Sequence, residues 1–116
     1  MKKTILAAVL GCVFVSAQAQ NTETLAQRQL VQGGAAAAQA RNVTGFGVRI
    51  GIIDQGFDLT HSDFSNRILV AQNFYNYRTV TWGAHGTAMT GVAAAGKNNS
   101  GAVGVAPESF LLLAQV

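Results

Sequence analysis

Residues 47–54 read GVRIGIID, and the reading of this stretch decides the fold. Val48, Ile50, Ile52 and Ile53 make a short β-branched run bounded by glycine, which suits a buried strand of a parallel sheet. The run stops on Asp54, with Gln55 and Gly56 directly after it. A carboxylate at the C-terminal end of such a strand stands where open α/β sheets carry their functional groups. Position alone leaves a second reading equally open, a turn-forming Asp that closes the strand end.

Toward the C-terminus, LTHSDF (59–64) reads as a loop or turn, and RILVAQNFYN (67–76) as a weaker second strand entering a polar stretch. After His85, GTAMTGVAAAG (86–96) sets small and apolar residues at helical spacing. Its glycines weaken an isolated helix but fit one that lies very close to a sheet. KNNSGAVG (97–104) is turn-rich, Pro107 follows, and FLLLAQV (110–116) reads as another buried strand. Strand, helix and strand in that order predict an α/β layer fold with parallel strands. Toward the N-terminus, AAAAQARN (35–42) is helix-prone with a stop at Asn42 and Gly45. NTETLAQRQLVQGG (21–34) is polar and reads as a linker or pro-segment remnant with some helical tendency.

The first residues are set apart from the fold. Lys2 and Lys3, an apolar run from Ile5 to Val15, and the small-residue end Ala17-Gln18-Ala19 have the layout of a secretory signal peptide, with cleavage after Ala19. The run is too short for a stable transmembrane segment. A rival reading takes VLGC as a lipoprotein signal, with Cys12 as a lipid anchor; Leu10 is bulkier than such sites prefer, so ordinary cleavage is favoured. Cys12 is the only cysteine, so a cleaved chain carries no disulfide and no thiol nucleophile. Without Lys2 and Lys3, six basic residues face five acidic ones, a net +1 that argues against nucleic acid as a partner. The remaining residues make at most one small domain, marginal for a core of its own. The expectation is an exported chain: periplasmic, cell-surface or secreted.

Two positions stand out for chemistry. His85 opens the small-residue helix, whose positive end helps keep an imidazole neutral, as a general base requires. A neighbouring carboxylate would fix its tautomer and stabilise the charge formed in reaction. The alternative is a histidine that merely caps the helix. His61, Asp63 and His85 as a metal set match no established ligand spacing.

GFGVRIGIIDQGFDLTHSDF (45–64) resembles the aspartate segment of the subtilases, in which G-x-G-V-x-V-A-V-I-D-[ST]-G leads to H-P-D-[LF]. HGTAMTGVAAAGKNNSGAVGVAPESFLLLAQV (85–116) is similar to their histidine segment, H-G-T-H-V-A-G followed by N-N-x-G-x-x-G-V-A-P and a strand. The segments come in the family's order, with Asp54 and His85 31 positions apart. HGTAMTG (85–91) also looks like the family's nucleophile segment with Ala88 in place of serine, but no proline closes it and NNSGAVGVAP follows, so it is read as the base-bearing segment. The resemblance implies the N-terminal portion of a subtilisin-like three-layer fold with a parallel sheet, incomplete in this chain. It implies catalytic roles for Asp54, which would orient the imidazole, and His85, which would act as base and then acid on a polypeptide substrate. It makes His61 and Asp63 a structural loop and puts Asn98 in a loop that binds calcium in some members; no cofactor is identifiable beyond that.

The sequence departs from the pattern at Gln55, where a small hydroxyl residue is usual and whose change puts the support of Asp54 in doubt. Ala88 replaces the second histidine and Ser62 the proline. The nucleophile segment G-T-S-[MF]-A-x-P is expected later than Val116. Ser62, Ser65, Ser100 and Ser109 are not in the strained turn entering a helix that exposes a nucleophilic hydroxyl. The layout expected is a signal peptide at 1–19, a linker or helical segment at 20–44 and a partial catalytic domain at 45–116. The function expected is an exported serine endopeptidase fragment, inactive alone. Its rival is a non-catalytic exported α/β binding module derived from the same fold. A nucleotide-binding domain fits worse, because the glycines of GFGVRIG precede the strand instead of following it.

Overall fold

The computed structural model describes residues 27–116; the signal peptide expected at 1–19, with Cys12, lies outside the described residues. Three parallel strands carry the fold: β1 (Arg49–Asp54), β2 (Ile68–Asn73) and β3 (Phe110–Gln115). Their order is β1-β3-β2, so the last strand in sequence fills the centre. The helix of the small-residue stretch, α3 (Ala84–Ala94), lies between β2 and β3 in sequence. Two short helices precede the sheet, α1 (Arg28–Gln32) and α2 (Ala35–Gln39). Gln39 docks the second of them, donating from Nε2 to the carbonyls of Gly104 at 2.8 Å and Val105 at 3.0 Å.

The alternation of β3 explains its central place. Leu111, Leu113 and Gln115 are buried, while Phe110, Leu112 and Ala114 are only half-buried. Leu111 and Leu113 join Phe57, Phe64 and Ala94 in the core, with Ile50, Ile52, Ile68 and Ala71 packed around them. Each fully buried Leu or Phe contributes about 1.5–3 kcal/mol. The register of β2 against β3 shifts between Ile68 and Val70. This extra residue leaves Leu69 and Val70 exposed and turns Ala71 to the core, as a bulge does.

Two expectations about burial change. Among the described residues β1 stands at an edge with alternating exposure, and Ile53 is 70% exposed. The core lies on the face of Ile50 and Ile52; on the other face, Gly51, Ile53, Val70, Phe74, Leu112 and Ala114 line a shallow groove of ≈310 Å³. Among the described residues no layer covers that second face. The glycines of α3 also divide. A β-carbon on Gly86 would meet the sheet-end turn, whereas one on Gly91 would have nothing within 4 Å. Close packing therefore explains Gly86 and not Gly91.

Candidate active site

Asp54 and His85 come together at the C-terminal edge of the sheet. Asp54 is the last residue of β1, and His85 is the second residue of α3. Their approach depends on backbone contacts that no side chain could share. A β-carbon on Gly86 would sit 2.1 Å from the Gly56 carbonyl oxygen, and one on Gly83 would sit 2.7 Å from the same atom. Three residues without side chains thus let the first turn of α3 rest on the turn that leaves β1. Thr87 fastens the contact: its hydroxyl donates to the Gly83 carbonyl at 2.6 Å and accepts from the Asp58 N–H at 2.7 Å. Phe57 N–H donates to the Thr81 carbonyl at 2.9 Å on the other side of the turn.

The result is a hydrogen bond of 2.7 Å between His85 Nδ1 and Asp54 Oδ2. The carboxylate is mostly covered, its side chain 11% exposed, while the imidazole is 74% exposed. Asp54 Oδ1 accepts the Gln55 main-chain N–H at 2.7 Å. The doubt raised by Gln55 is thereby answered in physical terms. The support comes from the backbone, which every residue except proline supplies, and the Gln55 side chain is not needed for it. The Gln55 N–H holds the Asp54 carboxyl below the usual carboxylate range; desolvation opposes this, and His85 adds to the lowering through its hydrogen bond and charge. A carboxylate on Nδ1 selects the tautomer with the proton there and leaves Nε2 as the basic nitrogen. Among the described residues Nε2 has no hydrogen-bond partner.

The remaining residues singled out in the sequence lie apart from this pair. His61 is the N-cap of a 3-10 turn (Ser62–Phe64) and accepts from the Asp63 N–H, so the pair shapes a loop. Asn98 donates to Asp63 Oδ1 at 2.8 Å, and its own carbonyl accepts the Ser100 N–H at 2.9 Å. Arg67 donates to the main-chain carbonyls of Asp63 and Ser109, bringing a positive charge beside the buried Asp63. Calcium takes six to eight oxygen ligands. Asp63 and Asn98 would offer such an ion one carboxylate and one amide oxygen, each already engaged in a hydrogen bond. Among the described residues no group of three or more His, Cys, Asp or Glu could hold a metal. No hydrogen bond links Ser62, Ser65, Ser100 or Ser109 to His85, and Ser109 is buried with its hydroxyl on the Ala106 carbonyl at 2.9 Å. The sequence reading passed over Gln115, whose buried amide touches both sides of the site. A lone polar residue at the end of the apolar run FLLLA was its signal.

A groove of ≈790 Å³ runs along α3 past Leu30, Phe64, Trp82, Ala88, Val92 and Val103, and neither Asp54 nor His85 lines it. No helix of the described residues is long and apolar enough to cross a membrane.

Comparison with known proteins places this arrangement. The profile of the subtilase family matches residues 45–116. The chain is 34% identical over 83 residues to the major intracellular serine protease of Bacillus subtilis, covering 66% of this chain and 26% of that protein. It is 35% identical over 94 residues to an intracellular serine protease of Paenibacillus polymyxa, covering 76% of this chain and 28% of the relative. An extracellular serine protease of Serratia marcescens is 40% identical over 81 residues, 65% of this chain and 8% of that one. The fold is similar to that of fervidolysin, a subtilisin-related keratinolytic enzyme of Fervidobacterium pennivorans, with a TM-score of 0.60 at 23% identity over 72% of this chain and 14% of the other. The chain thus spans little more than a quarter of the Bacillus and Paenibacillus relatives' length. With the family profile running from Gly45 through the Asp54 strand and the His85 helix to Val116, the chain belongs to the subtilase family.

Proposed function

We propose that this chain carries the acid–base half of an exported serine endopeptidase, with Asp54 and His85 as two members of an Asp-His-Ser triad. The observation that carries the reading is the 2.7 Å contact from His85 Nδ1 to Asp54 Oδ2, which leaves Nε2 basic and exposed. In the reaction, Nε2 takes the proton of a serine hydroxyl as that oxygen attacks the scissile carbonyl. The imidazolium so formed is stabilised by Asp54, which stays ionised, and it then gives its proton to the leaving amine. The reading takes the third member, the serine, and the oxyanion donors from outside the described residues. Residues 1–19 direct export, and a polypeptide is the substrate.

The rival reading of a non-catalytic module rested on Gln55 and on the serine. The Gln55 main-chain N–H on Asp54 Oδ1 supports the catalytic reading, because it holds the carboxylate whatever the side chain at 55. The test is labelling of the full-length protein by a serine-directed phosphonate. Wild type is expected to label rapidly, and Asp54→Asn and His85→Ala to label very slowly. Labelling that is equal in all three would remove both residues from the chemistry.

A further inference from the structure

The C-terminal edge of the sheet ends in a row of polar side chains. The strand register pairs Asp54 with Gln115 on one side of β3 and Asn73 with Gln115 on the other. Asp54 reaches His85, while the other two side chains hold the connection that delivers it. Asn73, 1% exposed, donates from Nδ2 to the Thr79 carbonyl at 3.3 Å and accepts the N–H groups of Tyr75 and Asn76 at 3.0 and 3.3 Å. Gln115, 7% exposed, accepts the Thr81 N–H at 2.8 Å. Its Nε2 donates to the Thr81 hydroxyl at 2.6 Å and to the Gln55 carbonyl at 2.7 Å.

These bonds use both amide protons and the amide oxygen of Gln115. An unpaired buried amide is costly, so the geometry of its partners is tightly specified. The partners matter because of where they stand. Gln55 is the residue whose N–H binds Asp54 Oδ1, and Thr81 lies four positions before His85. One buried amide therefore ties the support of the acid to the approach of the base. It does so from the central strand, which the core holds on Leu111 and Leu113.

We infer that Gln115 is a positioning residue for the Asp54–His85 couple, acting on Asp54 through Gln55 and on His85 through Thr81. The inference rests on the catalytic reading of that couple. Gln115 touches no reacting atom; it sets the separation and angle at which the two side chains meet.

Gln115→Glu separates the parts of the amide. It keeps an acceptor for Thr81 but removes the donor to the Gln55 carbonyl and sets a carboxylate oxygen against it. Gln115→Leu removes all three bonds. In the full-length protein, kcat per phosphonate-titrated active site is expected to fall about 10- to 100-fold in both variants, with KM within about twofold. The acid limb of the kcat/KM profile, which reports the base, is expected to move as well. Asp54→Asn is measured alongside. If Asp54→Asn leaves kcat unchanged, the catalytic reading itself fails. If Asp54→Asn is disabling while both Gln115 variants keep kcat and pH profile per active site and lose only thermal stability, the positioning role is overturned and the catalytic reading stands. Should both Gln115 variants fail to fold, Thr81→Val, which removes one of the three bonds, decides the matter. A fall in kcat at constant KM supports the role, and an unchanged kcat overturns it.

Discussion

Gly86 rests so closely on Gly56 that a β-carbon added to it would fall 2.1 Å from the Gly56 carbonyl oxygen. This contact sets the first turn of α3 against the end of β1, and the Asp54–His85 hydrogen bond forms beside it. Gly86→Ala is therefore expected to force the helix off the sheet end, at a cost of about 1–3 kcal/mol or more. Gly91→Ala, with open space around the added carbon, is expected to be neutral or to stabilise by up to about 1 kcal/mol through helix propensity. Denaturant unfolding of the two variants in the full-length protein checks the opposite signs. A Gly86→Ala protein as stable as wild type would contradict the close approach.

The couple itself makes a prediction about rate. In the full-length protein, Asp54→Asn is expected to lower kcat about 10⁴-fold and His85→Ala about 10⁶-fold, with the double variant little worse than the second alone. On the proposed triad the losses are not additive, because the acid would work through the base. Steady-state hydrolysis of a peptide substrate measures all three. Multiplicative losses would mean that the residues act independently.

The lowered Asp54 pKa has a sign that can be checked. A carboxyl held below its unfolded value near 3.8 stabilises the fold above that value, and this contribution disappears as pH falls through the lower folded value. The stability difference between wild type and Asp54→Asn should therefore be steady above about pH 5 and shrink on acidification below about pH 4. Carbon-detected NMR of the carboxyl should give a midpoint below 3.8. A midpoint above it would mean that desolvation outweighs the Gln55 hydrogen bond.

Residues 1–116 alone are expected to carry no serine that a phosphonate labels. Ser109 is buried with its hydroxyl on the Ala106 carbonyl, and none of Ser62, Ser65 and Ser100 has a hydrogen bond to His85. Incubation of this polypeptide followed by mass spectrometry tests it. A label that vanishes in any one Ser→Ala variant would place the nucleophile within these residues.

The same polypeptide is expected to self-associate or fold poorly. Ile53, Val70 and Phe74 are at least half exposed on the groove-bearing face of the sheet, and β1 and β2 both present strand edges. Ile53→Lys with Val70→Lys should shift it toward monomer in analytical ultracentrifugation. A wild-type monomer with a sharp, cooperative thermal transition would contradict the expectation.

The amino-acid sequence by itself determined the elements and their kind. The β-branched run of 47–54, the small-residue helix after His85 and the apolar FLLLA each carry a local signal, periodicity or propensity, that neighbouring residues suffice to express. It also marked Asp54 and His85 as candidates, through the spacing of two motifs that the family profile now covers. Only the tertiary structure decided what depends on contact between distant segments. Among the described strands, β3 in the centre and β1 at an edge follow from strand pairing, which a short apolar run does not encode; Ile53 reads as core yet is exposed because it lies on the sheet face that no described residue covers. The support of Asp54 by the Gln55 main chain was hidden because a backbone N–H is common to almost every residue type. Gln115 was hidden for the opposite reason. Its side chain is specific, but its partners lie 34 and 60 positions away, and only the folded sheet brings them within reach of one amide.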